Sequence, residues 1–98
     1  IKDRVIKARK IQKDRFEKWG REIDTNSEMN VKDLGNMVKL EDDVRALLDN
    51  SAESLGLSAR AYHRVIKIAR TIADLEGSEN VNANHILEAI QYRPKVSS

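Results

Sequence analysis

Arg60, His63, Arg64, Lys67, Arg70 and Thr71 recur at intervals of three and four residues, the spacing that aligns side chains along one side of an α-helix. Guanidinium and ammonium groups gathered on such a stripe offer charge-assisted hydrogen bonds to phosphate or carboxylate oxygens. The placement is locally unfavourable twice over. Arg60 and Arg64 are like charges four residues apart, which costs ~0.2–0.5 kcal/mol. Both also fall in the first two turns of a helix expected to begin at Ser58, where cations oppose the helix dipole at about 0.3–1 kcal/mol each. No acidic residue interleaves before Asp74. Two arrangements would relieve this: an anion bound near the helix N-terminus, or acids from elsewhere in the fold, such as Glu41–Asp43 or Asp49, paired with the arginines. The stripe alone does not choose between them.

Other chemistry is harder to assemble. The four glycines, at 20, 35, 56 and 77, are too dispersed for a phosphate-cradling loop or a dinucleotide fingerprint. His63 and His85 lack the spacing of a zinc helix, and no metal site is expected. Ser58 reads as a helix cap rather than a nucleophile. Glu41, Asp42 and Asp43 could hold a hard cation, but acids in a first helical turn are ordinary partners of the dipole. There is no cysteine, hence neither a disulfide nor a thiolate ligand, which suits an intracellular, cytoplasmic setting. The chain by itself is expected to be non-catalytic.

The elements that must position the stripe are helical. One proline and four glycines in 98 residues favour long regular elements over a turn-rich fold. The first helix is expected over about Lys2–Trp19, with Val5, Ala8, Ile11, Gln12, Phe16 and Trp19 near one face and Gly20 as its stop. Residues 21–31 carry turn chemistry in Asp24, Thr25, Asn26 and Ser27, and a helical turn near 32–38 is weakened by Gly35. A helix over about Glu41–Leu55 buries Val44, Leu47, Leu48, Ala52 and Leu55. The stripe-bearing helix runs from the Ser58 cap to about Glu76, burying Ala61, Val65, Ile68, Ala69, Ile72, Ala73 and Leu75. A last helix after Asn82 carries Ile86, Leu87, Ala89, Ile90 and Tyr92 until Pro94, and 94–98 should fray. Short connections make these helices antiparallel neighbours. The fold class is all-α, a bundle of four to five helices in a single domain over 1–98.

Charge adds a second candidate surface. The formal net charge is +2, but residues 1–20 hold eight basic side chains against Asp3, Asp14 and Glu17. Lys7, Arg9, Lys10 and Lys13 could face a nucleic acid or an acidic neighbouring domain. No apolar run is long enough to span a bilayer, so no membrane partner is expected. The chain opens on Ile1 rather than Met, as a segment of a longer protein would.

The segment Leu57–Gly77, LSARAYHRVIKIARTIADLEG, closely resembles the C-terminal motif of the magnesium-chelatase-related AAA+ proteins, the ComM/YifB-like group. VIKARKIQKDRF (5–16) resembles that group's first helix, and Asn26–Met29, Leu47-Leu48 and HILEAIQYR (85–93) follow in the same order. The chain departs most over 27–45, at Ser27 and Lys39. The resemblance implies a fold of the AAA+ C-terminal lid type. It also implies that Walker motifs and arginine finger lie in an upstream core domain, with ATP and magnesium as cofactors of the parent protein and none bound by this chain alone. Partners would be that core domain and the neighbouring subunits of a ring, a hexamer by family habit, with DNA a further candidate. By position, Arg60 matches the sensor 2 arginine, which contacts the nucleotide; Arg64 and Lys67 are the fallback positions. The alternative is a stand-alone nucleic-acid-binding module using residues 1–20. A plain helical interaction domain is a third reading, and it expects Arg60 to be tied up in an intradomain salt bridge.

Overall fold

A computed structural model describes residues 2–23 and 25–92, with Lys2 defined in its backbone only. Five α-helices follow in order: α1 (Lys2–Lys18), α2 (Val31–Met37), α3 (Asp42–Leu55), α4 (Ala59–Leu75) and α5 (Ala83–Gln91), with a single 3₁₀ turn over Asn26–Glu28 between the first two. No strand occurs among the described residues. The all-α expectation stands. The expected fraying of 94–98, the stop at Pro94 and the turn residue Asp24 lie outside the described residues.

Local chemistry accounts for most boundaries. Ser58 caps α4, its hydroxyl accepting from the Ala61 N–H (3.1 Å). Asn82 caps α5, accepting from the His85 N–H (3.2 Å). Gly56 (φ 64°) closes α3 in the left-handed region, which a residue with a Cβ enters only at a cost. The Leu57 N–H then returns to the Ala52 carbonyl (2.9 Å), satisfying an otherwise orphan acceptor.

The weakly expected turn at 32–38 is a helix, and caps explain why. Asn30 Oδ1 accepts from the Asp33 N–H (2.8 Å) while Asp33 Oδ2 accepts from the Asn30 N–H (3.0 Å), a reciprocal box that satisfies two donors at once. Arg21 adds a hydrogen bond to Asp33 (3.0 Å), and Leu34 is buried. These offset the roughly 1 kcal/mol that Gly35 costs relative to Ala in a helix.

Helix α4 is the hub. It packs against α1, the 3₁₀ turn, α2 and α5, and α3 packs on α5. The core between them includes Phe16, Met29, Leu48, Val65 and Ile86, all essentially inaccessible, each burial being worth about 1.5–3 kcal/mol. Ala69, Ala73 and Ala89 are also fully buried, at sites where a larger side chain would overpack.

The apolar face expected of α1 is narrower than its sequence suggests. Ala8, Gln12 and Phe16 are buried, whereas Val5, Ile11 and Trp19 are exposed, Trp19 to 49 %. Helix α1 meets chiefly one neighbour, so it buries a strip rather than the wide face of a helix seated between two partners. Leu55, Leu87 and Tyr92, expected on buried stripes, are likewise exposed.

Candidate functional site: the cationic groove of helix α4

From its Ser58 cap, α4 carries Arg60, Arg64 and Lys67 along one edge of a groove of about 1020 Å³. The same helix lines the groove further on with Ile68, Thr71, Ile72 and Leu75. The walls are Met29, Val31 and Leu34 on one side and Glu88 and Tyr92 of α5 on the other, with Arg4 of α1 also reaching it. The groove thus carries Arg60, Arg64 and Lys67 from the first half of α4, while further along apolar side chains share the lining with Thr71, Glu76 and Arg4, whose Nε donates to the Leu75 carbonyl (3.2 Å).

Arg60 and Arg64 are exposed, and no ion pair among the described residues involves either. Two of the acids that could have neutralised them have other partners. Asp49 accepts a hydrogen bond from the Tyr62 hydroxyl (2.6 Å), and Asp43 accepts from the Val44 N–H (2.8 Å). The intradomain salt bridge expected of a purely structural Arg60 is absent among the described residues. Lys67 differs: its Nζ donates to the Ser27 carbonyl (3.1 Å), which leaves it capacity for two further acceptors. His63 lines the groove beside them, half-buried, its ring edge-on to Tyr62. Tyr62 pins this end of α4 to α3. Burial raises the pKa of its hydroxyl above the ordinary value, and the hydrogen bond to Asp49 and that residue's charge act in the same direction, with Arg45 opposing.

Arg70 corrects the stripe. It was expected to face an anion with Arg60 and Arg64, but it is buried. Its Nε donates to Asp74 Oδ1 (3.1 Å), and its two terminal nitrogens donate to the Glu79 and Ser78 carbonyls (3.0 and 2.8 Å). Burial pushes its pKa below the ordinary value, the charge and hydrogen bond of Asp74 hold it up, and Arg15 pushes it down again. The cause is tertiary: the connection after α4 brings the Ser78 and Glu79 carbonyls onto Arg70, while α1 and the 3₁₀ turn bring Arg15 and Asn26 to the neighbouring Asp74 and Thr71. Thr71 is half-covered too, donating to the Lys67 carbonyl (3.0 Å) and accepting from Asn26 Nδ2 (3.1 Å).

Arg15 and Asn26 complete a polar cluster that the spacing of the stripe did not reveal. Asp74 receives Arg15 on both oxygens (2.6 and 3.2 Å) and Asn26 Nδ2 on one (2.9 Å), while Gln12 Oε1 accepts from the Asn26 N–H (3.3 Å). The Arg70–Asp74 pair at four-residue spacing was the one local signal available; its partners come from 59 and 48 residues away.

The remaining candidates disperse. Lys7, Arg9, Lys10 and Lys13 are all exposed on α1, and none lines the groove. Exposed Asp14 and Glu17 stand four residues beyond Lys10 and Lys13, so this face mixes signs rather than presenting a basic stripe. His85 belongs to the cap of α5: its Nδ1 accepts from the Asn82 N–H (3.0 Å), which assigns the ring proton to Nε2 and its 2.6 Å bond to Glu76. Among the described residues no group of three or more His, Cys, Asp or Glu could hold a metal ion. No helix there is long and apolar enough to cross a membrane.

The fold and groove define a class: a helical bundle built around one central helix whose N-terminal half presents cations that have no ion pair among the described residues. The particular family follows from the sequence, since residues 1–93 match the family described as "Magnesium chelatase, subunit ChlI C-terminal", and the chain belongs to it. It is 38 % identical to the competence protein ComM of Haemophilus influenzae over 98 % of its own length. It is 36 % identical to the uncharacterised protein YifB of Escherichia coli over 95 % of its length, and 34 % identical to YifB of Salmonella typhimurium. The chain spans only 17–18 % of these relatives. No solved structure matches it.

Proposed function

We propose that this chain is the helical lid of a magnesium-chelatase-related AAA+ ATPase and that Arg60 is its sensor 2 residue. The observation that carries this reading is an exposed guanidinium with no ion pair among the described residues, held at the head of a capped helix. Cations at a helix N-terminus oppose its dipole, a cost that an anion bound there relieves, and the fully charged, five-donor guanidinium suits a phosphate oxygen. A nucleotide bound by an upstream core domain supplies that oxygen. Arg60 then stabilises the charge that develops during hydrolysis and ties lid position to nucleotide state. Arg64 and Lys67 line the same groove one and two turns on and assist at the phosphates.

The described residues offer no metal-ligand cluster, so magnesium accompanying ATP would take its ligands from the core. The chain alone turns over nothing; its partners are that core and the adjoining subunits of a ring, a hexamer, in the cytoplasm. DNA contact through Lys7, Arg9, Lys10 and Lys13 is the weaker reading, because the interleaved acids dilute the field that phosphate binding needs.

The test is Arg60→Ala in the full-length protein. The expected result is a fall in ATP turnover on the order of a hundredfold with the melting temperature of the lid unchanged. Wild-type turnover overturns the assignment.

A further inference from the structure

Asp74 already has a counter-charge without α1. Arg70, on the same helix, lies 3.0 Å from Asp74 Oδ1, and the Asp74 side chain is completely inaccessible. Arg15 is therefore a second cation on one carboxylate, and neutralising Asp74 does not require it. What it adds is direction. Its two terminal nitrogens engage both carboxylate oxygens (2.6 and 3.2 Å), a fork whose planar geometry fixes orientation as well as distance. The remainder of the α1 contact strip is narrow, with Ala8, Gln12 and Phe16 buried and Val5 and Ile11 left outside; Arg4 Nε adds one hydrogen bond to the Leu75 carbonyl (3.2 Å), and Arg15–Asp74 is the one ion pair that ties α1 to α4 among the described residues.

We infer that Arg15, acting through Asp74, is a positioning residue that locks α1 to the sensor helix and so sets where Arg60 stands. This rests on the lid reading above. Any segment preceding the chain joins the bundle through α1, and α1 docks mainly on α4. Asp74 and Arg60 are separated by 14 residues of one helix, about 21 Å at 1.5 Å per residue. At that lever length a tilt of about 3° moves Arg60 by roughly 1 Å, a displacement that can cost on the order of a hundredfold in rate. A lid whose α1 slips against α4 presents its arginine to the phosphates out of register.

The experiment is a double-mutant cycle on ATP hydrolysis by the full-length protein with magnesium, using Arg15→Gln, Arg60→Ala and the double variant. Arg15→Gln is expected to lower kcat by about ten- to a hundredfold with a much smaller change in KM, and to cause no further loss in the Arg60→Ala background. Arg15→Lys keeps the charge but loses the fork, so it should behave like Arg15→Gln; it carries the test if the glutamine variant folds poorly. Independent, multiplicative losses in the double variant overturn the coupling while leaving the sensor assignment intact, as does wild-type kcat in both Arg15 variants. Wild-type turnover in Arg60→Ala overturns both.

Discussion

Arg60 and Arg70 sit ten residues apart on α4, are the same residue type, and fall within the same helical stripe. Arg60 is exposed and without an ion pair among the described residues, while Arg70 is buried against Asp74 and two loop carbonyls. The difference comes from what the rest of the chain lays over each end: the Ser78 and Glu79 carbonyls after α4 close on Arg70, beside an Asp74 that also receives Arg15 of α1, while Arg60 stays exposed. A buried cation without a partner is strongly destabilising, so the covered end had to acquire a carboxylate. The open end, solvated, did not. A cationic stripe is therefore informative about binding only where the fold leaves it uncovered.

The contrast can be broken most severely at the covered end. Asp74→Ala should destabilise the domain by about 3–5 kcal/mol, because it strands two guanidiniums, one of them buried; urea unfolding measures this, and a loss under 1 kcal/mol would mean that the cluster does not hold the α1–α4 junction. At the open end, removing the cap by Ser58→Ala should cost about 1 kcal/mol, read by the same titration. Tyr62→Phe should cost a similar amount, about 1 kcal/mol for the hydrogen bond to Asp49.

Tyr62 also sharpens the contrast through pH. Its folded pKa is raised above the ordinary 10.0, chiefly by burial, so its contribution is whole below that value and fades as pH rises through the folded one. Wild type should lose stability on alkaline titration, and Tyr62→Phe should lack that part of the loss. Smallest of all, Arg60→Ala and Arg64→Ala should leave stability within about 0.5 kcal/mol by thermal unfolding. A larger drop would mark the open end as structural.

How far this was legible in the sequence differs by element. The Ser58 and Asn82 caps, the glycine at 56 that closes α3 and the apolar periodicity of α3, α4 and α5 are local signals, and the helices follow them. Helix α2 was harder to see, because its stability depends on a box closed by an aspartate and on Arg21, twelve residues before Asp33. Residue type and family resemblance picked out Arg60, Arg64 and Lys67 as candidates, and the fold places all three along one groove. Arg70 goes inside instead, bonded to Asp74 and to the Ser78 and Glu79 carbonyls, and the Arg15 and Asn26 side chains that complete the cluster on Asp74 lie outside any helical window.

The sequence by itself determined the helices, their caps, the gathering of cations on one face of α4 and the family to which the chain belongs. Only the tertiary structure decided that Val5, Ile11 and Trp19 stay outside while Arg70 goes in, and that Asp49 binds a tyrosine rather than an arginine. Helical signals propagate through hydrogen bonds four residues apart, and sequence carries those directly. Charge satisfaction and burial depend on which distant segments come within a few ångströms, as when Arg15 meets Asp74 across 59 residues, and no local pattern encodes that.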